Sequence, residues 1–253
     1  MSGHSKWAGI KHKKAAQDAK KGRIFTKIIR EITVAAREGG GNPDINPRLR
    51  TAIDRAKEAN MPGDNVDKAV KRGTGELPGV TYETCIFEGY GPGGVALLVE
   101  TLTDNKNRTS AEVRNIFTKK NGNLAGSGSV AWQFQKKGYI SVDKTKISED
   151  DLFSLVLDAG AEDLKGDEKQ YEVTCAVKDL ENVKAALKAK NIAWIQAEPT
   201  MIPSSTVKVN AGDAKLLLNL VEALEDHDDV QNVYGNFDIP DEILEAMAQE
   251  MNG

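Results

Sequence analysis

The chain has 253 residues, 40% of them hydrophobic and 28% charged, a globular mixture rather than the apolar-poor composition of a disordered chain. That length accommodates two or three units of on the order of 100 residues each. No stretch approaches the roughly 18 consecutive apolar residues of a membrane-spanning helix, and the lysine-rich start lacks the apolar segment of a secretory signal, so a cytoplasmic protein that meets no membrane is expected.

The net charge of −4 conceals a sharp asymmetry. Residues 1–75 carry 17 basic and 8 acidic side chains, whereas the remainder carries 17 basic and 30 acidic ones. Within the first thirty residues the ratio is 9 to 1. Such a field steers polyanions, so a nucleic-acid-facing module on an acidic body is expected. Cys85 and Cys175 sit in apolar strand-like runs, where a thiol behaves as a small buried hydrophobe. His4, His12 and His227 lack the spacing of a zinc site, so neither a metal nor a cofactor is expected.

In chain order, residues 15–37 show helical spacing, with Ile24, Phe25, Ile28, Ile29, Ile32 and Ala36 on one face. Lys20, Arg23, Lys27 and Arg30 form a basic stripe opposite. Gly39, Gly40 and Gly41 stop this helix, and Asn46 with Pro47 opens a second over 47–59, where Arg48, Arg50, Arg55 and Lys57 remain available to solvent or phosphate. A third helix over 65–72 ends at Gly73. The pattern then turns to strands at 82–87 and 95–102, a helix at 110–120 and a strand at 129–134. Residues 138–202 read strand, helix, two strands, helix, strand, which is a ferredoxin-like order. A strand at 206–209, a helix at 214–225 and a strand at 231–237 would complete the sheet begun at Tyr82.

The fold expected is therefore α+β: an N-terminal helical bundle over 1–78, an α+β domain over 79–135 plus 204–240, and a ferredoxin-like domain over 136–203 inserted into it, followed by a tail over 241–253.

Residues 2–14, SGHSKWAGIKHKK, hold lysines suited to phosphate contact around Trp7, which reads better as an anchor in the bundle. The run Glu88 to Gly94, EGYGPGG, lacks the Lys and Ser/Thr of a nucleoside-triphosphate loop and reads as a hairpin turn. In Asp104 to Thr109 the polar residues suit a turn, Thr109 can cap the next helix, and Arg108 is a candidate phosphate contact. The acidic string Glu225, Asp226, His227, Asp228, Asp229 does not fit a calcium loop and reads as a solvated face. No nucleophile or carboxylate pair has a recognisable activating partner, so no catalytic residue is expected.

The segments SGHSKWAGIKHKKAAQDAKKGRIFTKIIREI, EGYGPGG, DNKNRT, MIPSS and LEDHDDVQNVYGN, in this order, resemble the YebC/PmpR family of bacterial regulators and their mitochondrial relatives across nearly the whole chain. Gly9 departs from the Asn that many members carry. The resemblance implies three domains, the last inserted into the middle one, and a DNA-binding regulator of transcription. It also implies an alternative, a translation factor or activator that binds ribosomal or transfer RNA on the ribosome. An enzyme with a site between the α+β domains is the least supported reading. The nucleic-acid-binding residues it implies are Lys6, Lys11, Lys13, Lys14, Lys20, Lys21, Arg23, Lys27 and Arg30.

Overall fold

The structure, a computed structural model, describes residues 18–167, 169–240 and 242–244, with side chains from residue 21 onward. Three helices come first: α1 (Asp18–Gly39), α2 (Pro47–Glu58) and α3 (Gly63–Thr74). Asn46 caps α2 by accepting from the Leu49 amide at 3.1 Å. Its amide nitrogen donates to the Ala35 and Gly40 carbonyls, so one buried side chain closes α1 and opens α2. Ile28, Ile32 and Ala36 of α1 meet Leu49, Ala52 and Ala56 of α2 and Ala69 of α3 in one core.

The third helix does not end at Gly73 as expected; it continues to Thr74 and stops at left-handed Gly75. Gly73 instead lets α3 approach α1, because a Cβ there would lie 2.4 Å from the Thr33 carbonyl oxygen and 2.7 Å from Ala36 Cβ. Gly73→Ala should therefore lower the thermal midpoint. Overpacking against backbone costs about 1 to 3 kcal/mol and outweighs the roughly 1 kcal/mol gain in helix propensity; a raised midpoint would show that the helices part freely.

Next, β1 (Glu83–Gly91) and β2 (Val95–Thr103) form a hairpin whose tip, Pro92 to Gly94, has positive φ at both glycines. The turn expected over Glu88 to Gly94 is thus confined to its last residues, and Glu88 is a strand residue. Helix α4 (Lys106–Lys119), β3 (Asn123–Leu124), α7 (Ala211–Glu225) and β9 (Val230–Gly235) complete this domain, with sheet order β3-β1-β2-β9. Val95, Leu97 and Val99 of β2 pack against Val113 and Phe117 of α4 and Leu217, Leu220 and Leu224 of α7. Ala96 and Leu98 face the other way, onto Val130 and Phe134, which explains an unbroken apolar run in a strand covered on both sides.

The inserted domain consists of β4 (Phe134–Asp143), α5 (Glu149–Asp158), β5 (Ala161–Gly166), β6 (Gln170–Cys175), α6 (Leu180–Ala189) and β7 (Gln196–Pro203). Its sheet order, β5-β6-β4-β7 with every neighbour antiparallel, is the ferredoxin-like arrangement the sequence leads one to expect. Two expectations are corrected here. Residues 129–133 are a turn and a short 3-10 segment, and the strand starts at Phe134 and runs through to Asp143. The strand after the insertion, β8 (Val207–Lys208), pairs in parallel with β10 (Phe237–Asp238) in a sheet of its own, leaving only β9 to complete the first sheet. Cys85 and Cys175 are buried free thiols. Among the described residues no helix is long and apolar enough to cross a membrane.

Candidate nucleic-acid interface

Helix α1 separates an apolar from a basic face, as its sequence dictates, but the basic face is not open along its length. Arg23 Nη1 lies 3.1 Å from Asp226 Oδ1, with both side chains about half exposed. Lys27 Nζ donates to the Glu225 carbonyl at 2.5 Å, and Arg30 Nη1 donates to the Asp228 carbonyl at 2.8 Å and to the Asp229 carboxylate. Arg30 also lies 5.4 Å over the Tyr82 ring and is only 14% exposed, so it cannot meet a phosphate without leaving this socket. Arg23, Lys27 and Arg30 of the stripe expected to meet nucleic acid thus form the joint between the bundle and the middle domain. A helical wheel shows which residues share a face; it does not show that an acidic string some 200 residues away covers it.

In that string Asp226 and Asp228 are exposed, as a solvated face requires, and Asp229 is the correction. Asp229 is buried and accepts from Arg108 Nη2 at 2.7 Å and from the Thr109 hydroxyl at 2.6 Å besides Arg30. Burial pushes its carboxyl up, but the hydrogen bonds from Thr109, Arg108 and Arg30 and the Arg30 charge outweigh this and hold it at about 2. Arg108, expected as a phosphate contact, is spread over Asp229, Asp104 and Glu112. The cap of α4 is Asn105, which accepts from the Arg108 amide; Thr109 lies inside the helix, donating to Asp229. Glu112, His227 and Asp229 come close enough to suggest a metal site. Two guanidinium groups and a hydroxyl already engage both Asp229 oxygens, which makes this an ion-pair network rather than an open cation site.

Arg48 and Arg55, expected to remain available, are also engaged. Arg48 pairs with Glu31 and Glu38 inside the bundle, and Arg55 pairs with Glu198 of β7, joining the bundle to the inserted domain. Arg50 donates to the Pro43 and Asp44 carbonyls, and Lys57 pairs with exposed Asp54. Of the residues expected to meet nucleic acid, Lys21 is exposed and without an ion pair among the described residues. Lys6, Lys11, Lys13 and Lys14, together with Trp7, lie outside the described residues, as does the side chain of Lys20.

Sequence reading missed Glu88. Its buried carboxylate accepts the backbone amides of Gly128 at 2.6 Å, Val130 at 2.7 Å and Ala131 at 2.8 Å. Burial pushes this carboxyl up, yet the ring of amides outweighs it and holds the group below its usual range. Glu88 thereby fixes the loop that leads into the inserted domain.

Two family models match in tandem: one described as the TACO1/YebC protein N-terminal domain over residues 5–76, the other as the TACO1/YebC second and third domain over 82–237. The chain belongs to the TACO1/YebC family. Proteins named "Probable transcriptional regulatory protein" from Dictyoglomus turgidum and Syntrophobacter fumaroxidans are each 56% identical to it, over 98% of this chain and 100% of theirs. The crystal structure of a conserved hypothetical protein, Aq1575, from Aquifex aeolicus superposes with a TM-score of 0.77 at 47% identity, covering 88% of this chain and 92% of that one.

Proposed function

We propose that the chain is a cytoplasmic nucleic-acid-binding regulator of gene expression, a DNA-binding regulator of transcription that acts through its basic N-terminal domain. The observation that carries this reading is the concentration of charge: 9 basic residues against 1 acidic in the first thirty, on a body in which acids prevail. The names of the full-length relatives support it. Because Arg23, Lys27 and Arg30 are engaged by the middle domain, the phosphate contacts fall to Lys6, Lys11, Lys13, Lys14, Lys20 and Lys21.

Anisotropy of a labelled DNA duplex, titrated over a salt series, tests this. Replacing Lys11, Lys13 and Lys14 with Ala should weaken binding and reduce the slope of log affinity against log salt by about 0.9 for each phosphate no longer neutralised. An unchanged slope would remove these lysines from the interface. Ribosome co-sedimentation alongside separates the alternative: saturable pelleting that the triple variant loses and duplex DNA barely competes would make the chain a translation factor.

A further inference from the structure

In a body where acids outnumber bases, the thirty residues from Val113 to Val142 carry five basic side chains, Arg114, Lys119, Lys120, Lys136 and Lys137, and no acidic one. Lys119, Lys120 and Lys136 are exposed and form no ion pair among the described residues. Lys119 and Lys120 close α4 just before β3, whose Asn123 pairs with Tyr90. Only the turn at Asn121, which has positive φ, and Gly122, whose amide donates to the Phe117 carbonyl, separate Lys120 from the strand residue paired with Tyr90.

Within this segment stands Trp132, 74% exposed on a fixed loop. The chain on either side is anchored: Val130 and Phe134 are buried, Glu88 holds the amides of Gly128, Val130 and Ala131, and the Gln133 carbonyl accepts from Ser204. The indole Nε1 of Trp132 and the hydroxyl of Tyr90 both donate to the Ser129 carbonyl, at 3.1 and 3.2 Å. With their polar groups satisfied, the two exposed aromatics offer a partner only ring surface. A pre-ordered ring loses little entropy on contact, and an exposed π-face on a segment that carries lysines and no acid matches a nucleobase on its phosphate backbone. Protein interface cores are depleted in Lys, and although Val130 and Phe134 beside Trp132 are turned into the core, the exposed chain around it is Gly126, Ser127 and Gly128 on one side and Gln135 and Lys136 on the other.

We propose that this edge is a second nucleic-acid contact, which stacks unpaired bases on Trp132 and Tyr90 while Lys119, Lys120 and Lys136 meet the phosphates. It rests on the reading that the chain binds nucleic acid, and it adds a preference for single strands, because the base faces of a duplex are already stacked. The bundle would then supply affinity for any polyanion, and this edge would select strands with exposed bases.

The test uses the full chain with a labelled oligouridylate of about twelve nucleotides, within the usual span of such sites, and a duplex of equal length. Trp132→Ala should weaken the single strand about tenfold, the scale of one base stack removed, and leave duplex affinity unchanged. Trp132→Phe should recover most of the loss, and both variants should melt like the parent because the side chain is mostly in solvent. Equal losses for the two ligands, or none, would overturn the proposal while leaving the basic N-terminus as the binding site. Failure of the parent to bind either ligand would overturn both readings. Should the parent self-associate, with Trp132→Ala monomeric and unchanged in oligonucleotide affinity, the surface is a contact between copies of the chain and base stacking is wrong.

Discussion

Asp229→Ala is expected to destabilise the chain by about 3 to 5 kcal/mol, the usual consequence of removing one partner from a buried ion pair. Arg30 would lose its carboxylate in a socket where it is 14% exposed, and Arg108 and Thr109 would lose the acceptor that aligns the start of α4. Removal of Asp226, half exposed opposite Arg23, should cost under about 1 kcal/mol, so the contrast between two aspartates three residues apart isolates burial from charge. Urea midpoints measure both, and a loss below about 1 kcal/mol for Asp229→Ala would mean that water reaches the socket. Acid supplies an independent check. The Asp229 carboxyl, ordinarily near 3.8, is held at about 2 in the folded chain, so its contribution is complete above the unfolded value and disappears as the pH falls through the folded one. Nearly two units correspond to about 2 to 3 kcal/mol, a loss between pH 4 and 2 that Asp229→Asn should not show.

The second large effect is expected at Glu88. Glu88→Ala leaves the amides of Gly128, Val130 and Ala131 facing a cavity, at a cost of about 3 kcal/mol or more, since a hydrogen bond to a charged group contributes about 1.5 to 3. Glu88→Gln should recover part of the loss, because its carbonyl oxygen can still accept from Val130 and Ala131 while its NH2 group is left facing the Gly128 amide, donor against donor. Hydrogen exchange at Val130 and Ala131 should accelerate selectively before the global midpoint falls far. Protection retained at both amides would mean that the loop is held by Val130 and Phe134 alone.

Much of the architecture was legible because it follows from local rules. Asn46 and Pro47 carry a helix start in their own chemistry, the glycines of the β1–β2 turn carry positive φ, and alternation with helical spacing exposed the ferredoxin-like order. What escaped was set by partners distant in sequence. The Arg30 stripe is amphipathic whether solvent or Asp229 covers it, and Arg55 gives no local hint of Glu198. Glu88 carried a faint signal: a carboxylate between strand residues has no solvated role on a face that must bury Leu98, its register partner on β2. Assignment of β8 to the first sheet failed because a two-residue strand has no alternation to read, and its parallel partner β10 follows α7 and β9.

The strands that lead into and out of the insertion, β4 and β7, are antiparallel neighbours, with Phe134 opposite Pro203. Entry and exit therefore lie about 5 Å apart, the spacing of any paired strands, and to the middle domain everything between them is topologically one oversized hairpin loop. Such a loop can lengthen or shorten without re-threading the host sheet, so a change of length inside the inserted domain leaves the framework of Asp229 and Glu88 intact and reaches the bundle through the Arg55–Glu198 pair.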